Sequence, residues 1–281
     1  MPGARVVVTG GKGRLGALIV RDLRKAGYDV VGMDRVAGDE AGYRQGSILD
    51  GDCLARVFAG ADTVIHTAAL LTRGNAPPDI FEVNTRGTWS VFDAAMRAGV
   101  RRVVSFSSEC AVGQCFQLVM RPPHYLPIDE AHPLEPQDAY SLSKQLGEDI
   151  ARGFLRAGGP SVVVLRPVWV MFPTPESELT ARRALAHGDV WCWVTPDDVA
   201  RAAVAAVAYQ TDFDTFFLGA PNTLCEVPTL QRLRERWGML PEIRRPEVYA
   251  ADPMAGLYDS SRAAARLGFA PSREWRSLIQ V

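Results

Sequence analysis

Hydrophobic residues recur along this chain in two alternating patterns. Short apolar runs rich in β-branched residues are typical of buried strands, and between them apolar residues recur every three or four positions, as on one face of a helix. The first such pair is Val6-Val7-Val8-Thr9 followed by Leu15, Leu18, Ile19 and Leu23. Further strands are predicted within residues 29–34, 43–50, 62–69, 101–108 and 161–166, with helices between most of them.

Alternation of strands with helices indicates an α/β fold, a doubly wound parallel sheet of the Rossmann type. We expect this domain to span residues 1–170, and a small C-terminal substrate lobe to span residues 171–281. Residues 197–219 predict a helix and a strand that return to the first domain. The 281 residues, 47% of them hydrophobic and 22% charged, are enough to bury such a core.

Composition argues against several classes of function. The net charge of −1 gives no electrostatic reason to expect nucleic acid or an anionic membrane surface as a partner. We find no apolar run long enough to span a bilayer and no signal-peptide pattern, so we expect a cytoplasmic protein. The five cysteines form no CxxC pair and the four histidines are scattered, so we expect neither a metal site nor a disulfide framework.

The turn after the first strand has the pattern of a dinucleotide-binding loop. Gly10 permits a tight turn, Gly13 lets the backbone approach a pyrophosphate, and Gly16 permits close packing of the helix on the strand. The first N–H groups of the helix and its dipole then face the phosphates. The pattern therefore predicts a bound nicotinamide dinucleotide.

The choice between NAD and NADP depends on the end of the second strand. Asp34 can accept hydrogen bonds from an adenosine ribose and would repel a 2′-phosphate, which favours NAD. Lys12, Arg14 and Arg35 favour the opposite choice, since each could bind that phosphate. We expect NAD, with NADP as the alternative.

Tyr140 and Lys144 form a candidate catalytic pair. They are four residues apart and so share one face of a predicted helix. A nearby ammonium stabilises phenolate and lowers the pKa of a tyrosine toward neutral pH, which makes the phenol usable as an acid or a base. Only three of the 31 basic residues are lysines, so chance rarely places one four residues after a tyrosine.

Ser107 and Ser108 follow the fifth strand, at the edge where parallel sheets bind ligands. A hydroxyl there can polarise a carbonyl or orient an alcohol, although serine is also common at strand ends for structural reasons. Arg166, after the sixth strand, and Arg182 could bind a carboxylate or phosphate of a substrate. For Arg182, a solvated helix charge is an equally good interpretation.

Together these motifs resemble the extended branch of the short-chain dehydrogenase/reductase superfamily, the NAD-dependent epimerase/dehydratase group. The resemblance is strongest over residues 4–170, and its remaining motifs are His66-Thr67-Ala68-Ala69, Asn84 and Leu165-Arg166-Pro167. It implies that Tyr140 is the catalytic acid/base, that Lys144 lowers its pKa and holds the nicotinamide ribose, and that Ser108 binds the reacting oxygen. Asn84 would support the site.

The resemblance also implies contacts with the cofactor and an oligomeric state. Asp34 would hold the adenosine ribose, and Ser47 and Ile48 would lie near the adenine. The other residues expected at the cofactor are Gly10, Gly13, Arg14, Leu15, Gly16, Arg35, Ala68, Tyr140, Lys144 and Pro167. Those expected at the substrate are Ser107, Ser108, Arg166 and Arg182. Family members often pair through the two helices that here span residues 84–98 and 139–156, so a homodimer is expected.

Two departures from the family pattern bear on the substrate. Members that dehydrate nucleotide sugars have Asp and then Glu after the active hydroxyl, whereas this chain has Glu109 and Cys110, which disfavours dehydration. The segment 172–195 is also shorter than in nucleotide-sugar enzymes, where it helps to hold the nucleotide. A small lobe suits a small substrate.

We therefore expect an oxidoreductase that transfers hydride between a nicotinamide and a secondary alcohol or carbonyl of a small sugar-like or acidic compound. One alternative is a nucleotide-sugar epimerase with tightly bound NAD. Another, of a different class, is a sensor or scaffold that binds NAD(H) without turnover. The intact residues Ser108, Tyr140 and Lys144 count against the last alternative.

Overall fold

Strands alternate with helices along most of the chain, as the apolar pattern predicts. The computed structural model describes residues 3–184 and 192–280, apart from the side chains of residues 181–184. The strands are β1 (Arg5–Thr9), β2 (Asp29–Asp34), β3 (Tyr43–Gln45), β4 (Thr63–His66), β5 (Arg102–Phe106), β6 (Tyr125–Leu126), β7 (Ser161–Pro167), β8 (Thr174–Pro175), β9 (Phe213–Leu218), β10 (Glu242–Ile243) and β11 (Ile279–Gln280). The helices are α1 (Arg14–Lys25), α2 (Gly51–Phe58), α3 (Pro77–Arg97), α4 (Ala139–Arg156), α5 (Glu176–Ala184), α6 (Pro196–Ala208), α7 (Thr229–Trp237), α8 (Pro246–Ala251) and α9 (Ser261–Leu267). Within the described residues, no helix combines the length and the apolar character needed to cross a bilayer.

A seven-stranded parallel sheet organises the fold, in the order β3-β2-β1-β4-β5-β7-β9. From β1 the chain winds outward through β2 and β3, and then in the opposite direction from β4 to β9. The prediction of a Rossmann-type doubly wound sheet is therefore confirmed. The direction reverses between β1 and β4, where Thr9 and His66 are register partners. Sheets of this kind bind their ligands at the carboxyl ends of the strands beside such a reversal.

Buried apolar side chains hold α2, α3 and α4 against the sheet. Central members of this core are Val7, Val64, Val103 and Val162 from the strands and Leu54, Phe58, Val91, Phe92, Ala151 and Phe154 from the helices. Burying a valine, leucine or phenylalanine side chain contributes about 1.5–3 kcal/mol each. The positions of α3 and α4, which carry the candidate site residues, are thus set mainly by hydrophobic burial.

Two helix starts show how local sequence sets the ends of these elements. Asp138 caps α4, because its Oδ1 accepts hydrogen bonds from the N–H groups of Tyr140 (2.9 Å) and Ser141 (3.1 Å). Helix α3 begins at Pro77, well before the predicted start at residue 84. A proline in the first turn lacks only an N–H that would have no partner within the helix, so the proline pair opens α3 instead of preventing it.

The chain forms two compact units. The first comprises Met1–Ser107, Asp138–Leu165 and Ala200–Thr215, and the second comprises Ser108–Gln137, Arg166–Val199 and Phe216–Val281. The units alternate along the chain because the segments that follow the strand ends at Ser107 and Leu165 belong to the second unit. The domain boundary expected after residue 170, with residues 197–219 returning to the first domain, stays a prediction.

Replacing Gly16 of α1 with alanine is expected to destabilise the protein. The added Cβ would meet the carbonyl oxygen of Gly10 and lie 2.8 Å from its carbonyl carbon, so the backbone would have to shift. We expect Gly16→Ala to lower the free energy of unfolding by about 1–3 kcal/mol in urea titrations. Gly153→Ala in α4 is the matched control, because its Cβ meets no atom within 4 Å and alanine favours a helix. Equal stability of the two variants would contradict the close packing of this turn.

Candidate active site

A chain of buried hydrogen bonds begins at the end of β1. Thr9 Oγ1 donates to His66 Nδ1 (2.8 Å), and His66 Nε2 donates to Thr88 Oγ1 (3.1 Å). Thr88 in turn donates to the carbonyl oxygen of Asn84 (2.5 Å). Because this bond uses the hydroxyl proton of Thr88, the imidazole must be the donor to Thr88, which places the ring proton on Nε2.

Asn84 links this chain of hydrogen bonds to α4. Its Nδ2 donates to Ser143 Oγ (3.1 Å) and to the carbonyl oxygen of Leu70 (3.0 Å), and its Oδ1 accepts from the N–H of Leu70 (2.8 Å). Ser143 then donates to the carbonyl oxygen of Tyr140 (2.6 Å). Asn84 is only 3% exposed, so water has little access to replace these bonds. We call the series from Thr9 to Tyr140 the buried polar chain.

Burial, together with the positive charge of Lys144, lowers the pKa of His66 to about 3. The imidazole is therefore neutral near pH 7, as its place in the buried polar chain requires. Protonation would convert Nδ1 from an acceptor into a donor and remove the acceptor that Thr9 needs.

Lys144 follows Tyr140 by one turn of α4. Its ammonium donates to the carbonyl oxygen of Phe106 at the end of β5 (3.0 Å) and lies 5.6 Å from the centre of the Tyr140 ring. Both side chains are half-buried. A positive charge is thus fixed near a phenol at the carboxyl edge of the sheet.

A small pocket, partly open to solvent, lies beside Lys144 in the first unit. Ser107 and Glu148 form part of its wall, and Ser107 Oγ donates to Glu148 Oε1 (2.7 Å). Arg152 lies 3.4 Å from the other carboxylate oxygen of Glu148. The carboxylate is buried, and these donors offset the cost of removing it from water.

The turn between β1 and α1 is shaped to accept a phosphate. Gly10 has a φ of +74°, and a Cβ at this position would lie 2.7 Å from Thr67 Oγ1, so only glycine fits. Gly13 is the N-cap of α1, and no side chain of the described residues caps the helix there. The N–H groups of the first turn are therefore left to bind an anion. The residues present fit the pyrophosphate of a dinucleotide.

Asp34 ends β2 with a fixed, half-buried carboxylate. Its Oδ2 accepts from the N–H of Lys12 (3.1 Å) and its Oδ1 from the N–H of Val36 (3.2 Å), and each oxygen keeps a further lone pair for a ribose hydroxyl. The ammonium of Lys12 binds Glu40 (3.0 Å) and the carbonyl oxygen of Ala37 (2.9 Å). These contacts hold the lysine side chain on the loop after β2.

The other residues predicted at the cofactor differ in exposure. Ile48 is buried, and its side chain packs on α3 at Gly87. The contact is so close that a Cβ on Gly87 would collide with Ile48. Arg14, Arg35 and Ser47 are exposed. Leu15 and Ala68 are half-buried, and Pro167 is the last residue of β7. Their contacts with a cofactor stay predictions.

Ser108 belongs to the second unit and caps a short 3₁₀ turn, Glu109–Val112. Its Oγ accepts from the N–H of Cys110 (3.2 Å) and donates to Glu109 Oε2 (3.3 Å). Cys115 Sγ donates to the same carboxylate oxygen (3.2 Å), and Glu109 is 4% exposed. A hydrogen bond from Cys115 lowers the pKa of the Cys110 thiol, but burial and the charge of Glu109 together raise it to about 11.

The two arginines predicted to bind substrate have different surroundings. Arg166 is only 2% exposed, and its guanidinium lies 5.2 Å from the ring centre of Phe217. The backbone of Arg182 lies in α5, but its side chain is outside the described residues. A role in substrate binding stays a prediction for both.

Sequence analysis missed the residues that support the site. Thr88 lies one helical turn after Asn84, and Glu148 one turn after Lys144, so shared helix faces could have indicated both. No spacing indicated that Glu109, Cys110 and Cys115 would meet. Their potential metal-ligand atoms nevertheless lie within 4.8 Å of one another, although we expected no metal site from the sequence.

Several known proteins are similar to this chain in sequence and in fold. The sequence profile of the NAD-dependent epimerase/dehydratase family matches residues 6–216. The UDP-glucose 4-epimerase of Streptomyces lividans is 28% identical, with 96% of this chain and 92% of the relative covered. The uronate dehydrogenase of Pseudomonas syringae pv. tomato is 25% identical, with 96% and 82% covered. A solved structure of a short-chain dehydrogenase/reductase superfamily protein from Agrobacterium tumefaciens with bound NAD has a TM-score of 0.73 at 24% identity, with 98% of this chain and 94% of that chain covered.

The depressed pKa of His66 predicts that stability falls in mild acid. Between pH 6.5 and pH 3 the unfolded chain binds a proton at this residue that the folded protein excludes. We therefore expect the protonation of His66 in the unfolded chain to lower the free energy of unfolding by about 2 kcal/mol when the pH falls from 7 to 5. Urea titrations at the two pH values measure this change.

The change with pH is the relevant readout, because His66→Gln also breaks hydrogen bonds. We expect His66→Gln to lose less stability than the parent protein between pH 7 and pH 5. His124→Gln is the control, since His124 is about half exposed. If His66→Gln retained the full pH dependence, the neutral buried imidazole would be refuted.

Proposed function

The chain belongs to the NAD-dependent epimerase/dehydratase family, and we propose that it acts as a dehydrogenase on a secondary alcohol of a small sugar-like or acidic substrate. It is an enzyme of the extended short-chain dehydrogenase/reductase superfamily, and NAD is its cofactor. The main support for the proposed reaction is the pair Tyr140 and Lys144 on α4, at the carboxyl edge of the sheet.

We assign the proton transfer to Tyr140. The ammonium of Lys144, fixed by the carbonyl oxygen of Phe106, favours the phenolate form, which can take the hydroxyl proton of the substrate near neutral pH. The chemistry that bound NAD would supply is that of a hydride acceptor for the carbon that carries this hydroxyl. That carbon becomes a carbonyl carbon, and Tyr140 afterwards releases the proton to solvent.

We propose that Ser108 binds the reacting oxygen of the substrate. The Ser108 hydroxyl has one proton, which it donates to Glu109 in the free protein. Rotation of the hydroxyl lets it donate instead to a substrate oxygen and stabilise the charge that develops there. Asn84 is a positioning residue in this scheme, because it reaches Tyr140 only through Ser143.

The proposed cofactor site is built around the turn after β1. Gly10, Gly13 and Gly16 form the turn that would hold the pyrophosphate, Asp34 would bind the adenosine ribose, and Lys144 the nicotinamide ribose. NAD is favoured over NADP because the fixed carboxylate of Asp34 would repel a 2′-phosphate.

A nucleotide-sugar epimerase is the second candidate function. The extent of the match to the Streptomyces epimerase, 92% of its length, favours this candidate. The short segment 172–195 favours a smaller substrate than a nucleotide sugar, and the relative named as a uronate dehydrogenase is matched over 82% of its length. For these reasons the dehydrogenase is the first candidate.

We also propose that two copies of the chain pair through α3 and α4. Large apolar side chains on these helices are 38% to 56% exposed in the single chain, namely Phe81, Trp89, Met96 and Leu142. Exposed apolar patches of this kind mark surfaces of protein association. The same two helices form the dimer contact in many family members.

Tyr140→Phe tests the proposed reaction by removing the phenolic oxygen while keeping the ring. We expect kcat for NADH formation from a panel of uronates, aldonates and polyols to fall by about 10²- to 10⁴-fold, the usual contribution of acid–base catalysis. NAD affinity, measured by fluorescence titration, should hardly change. Tyr28→Phe, at the residue before β2, is the control. Unchanged turnover in Tyr140→Phe would exclude this residue from the mechanism.

The products distinguish the candidate functions. A dehydrogenase forms net NADH from added NAD, and we expect NAD to support faster turnover than NADP. An epimerase retains NAD through purification and interconverts UDP-glucose and UDP-galactose without net NADH, and that result would contradict the proposal. Cofactor binding without turnover, unaffected by Tyr140→Phe, would instead indicate a sensor or scaffold.

A further inference from the structure

Three potential metal ligands meet within the second unit. The carboxylate of Glu109 and the thiols of Cys110 and Cys115 have their ligand atoms within 4.8 Å of one another. Cys115 Sγ donates to Glu109 Oε2 (3.2 Å), so these two groups are already in contact. In a tetrahedral zinc site, Zn–S and Zn–O bond lengths place neighbouring ligand atoms about 3.5–3.8 Å apart. Side-chain adjustments of about 1 Å would therefore bring all three groups onto one ion.

A tight turn holds the two cysteines near each other. The 3₁₀ turn Glu109–Val112 ends at Gly113, whose N–H donates to the carbonyl oxygen of Cys110 (2.8 Å). Gly113 has a φ of +88°, and a Cβ there would collide with the carbonyl oxygen of Glu135, so glycine is required. The chain thus turns back at Gly113 and returns Cys115 to Cys110. Ligands that the fold has already brought together lose little further entropy when they bind an ion.

The carboxylate of Glu109 is buried and oriented by a neighbour. It is 4% exposed, and Ser108 Oγ donates to its Oε2 (3.3 Å). Carboxylates that bind metals are commonly held by such an additional hydrogen bond. A carboxylate oxygen has two lone pairs, so Oε2 can keep the bond from Ser108 while a metal takes the place of the Cys115 proton. The surroundings of Glu109 therefore suit a metal ligand.

The types of ligand indicate the class of ion. Two thiol sulfurs with one carboxylate suit Zn²⁺, whereas Mg²⁺ and Ca²⁺ take oxygen ligands. A third thiol is nearby, because Cys192 interacts electrostatically with Cys115 and lines the same narrow cleft. The cleft is partly open to solvent and gives an ion a path to Cys115. Water or Cys192 can then supply the fourth ligand of a tetrahedral site.

The balance of charge also favours a divalent ion. In the metal-free protein the carboxylate of Glu109 carries one negative charge, and thiols are protonated and neutral near pH 7. Binding of Zn²⁺ forms one Zn–O bond and two Zn–S bonds, while the two S–H bonds break and their protons go to solvent. The two positive charges gained equal the two lost, so the cluster keeps its net charge. The ion thus adds no net charge to a site where burying charge is costly.

We propose that Glu109, Cys110 and Cys115 form a binding site for one Zn²⁺ ion in the second unit. The ion connects the two ends of the turn from residue 109 to residue 115, and because it binds only the folded protein it stabilises that state. The proposal is independent of the dehydrogenase function, since neither NAD nor a substrate takes part in it or in its test.

Metal titration of the whole chain tests the proposal, after EDTA has removed bound metal and the thiols have been reduced. We expect one Zn²⁺ ion per chain to bind with a Kd of about 1 µM or lower, measured by competition with a chromogenic chelator. About two protons per ion should be released into a weakly buffered solution at pH 7. Co²⁺ in place of Zn²⁺ should give thiolate-to-metal charge-transfer absorption. Binding without proton release or without this absorption would overturn the proposal, because the ion would then lie on carboxylates or imidazoles.

Cysteine variants locate the bound ion. We expect Cys115→Ser and Cys110→Ser each to raise the Kd for Zn²⁺ by at least about 100-fold, because each removes a direct ligand. Cys225→Ser is the matched control, since Cys225, like Cys115, is a half-buried thiol of the second unit. It should leave the Kd unchanged.

Thermal unfolding provides a second measurement for any variant whose fold is in doubt. Circular dichroism first establishes that each variant is folded. Zn²⁺ should then raise the Tm of the parent protein and of Cys225→Ser, but not that of Cys115→Ser. Equal Zn²⁺ affinity in Cys115→Ser and Cys225→Ser, or an equal rise in their Tm, would overturn the proposal.

Discussion

The buried polar chain that begins at Thr9 connects the end of β1 to the backbone of α4 at Tyr140. A typical hydrogen bond adds about 0.5–1.5 kcal/mol to stability, but a buried group that loses its partner costs about 1–3 kcal/mol. The members of the chain are therefore coupled, because moving one leaves another buried polar atom unpaired. The strand that precedes the glycine turn and the helix that carries Tyr140 and Lys144 are held by the same bonds. This coupling is the physical basis for assigning cofactor binding and acid–base chemistry to one unit.

Much of the first unit could be predicted from the sequence because its signals are local. The run Val6-Val7-Val8 ending in glycines specifies a strand, a turn and a helix within a few residues, and the spacing of Tyr140 and Lys144 places them on one helix face. The start of α3 at Pro77 was not predicted, because the apolar period becomes clear only later in that helix. Capping of α4 by Asp138 is local in the same way, since its carboxylate accepts from N–H groups only two and three residues further along the chain.

Contacts between distant residues could not be predicted in the same way. His66 meets Thr9 because β4 pairs with β1 in one particular register, and no local pattern encodes that register. Anion binding shows the same limit. The sequence marks Arg166 as a candidate for binding an anion, but only the fold shows that its guanidinium is buried near Phe217. Residues that act through tertiary contacts thus required the fold before their roles could be considered.

The central claim is that the phenol of Tyr140 and the ammonium of Lys144 face a dinucleotide held by the glycine turn. A crystal structure of the protein with NAD measures this directly. The account predicts that the Tyr140 hydroxyl points to the reacting end of the nicotinamide ring, with Lys144 at the adjoining ribose and the pyrophosphate at the first turn of α1. A Tyr140 hydroxyl directed away from the nicotinamide, or NAD bound elsewhere on the protein, would contradict it.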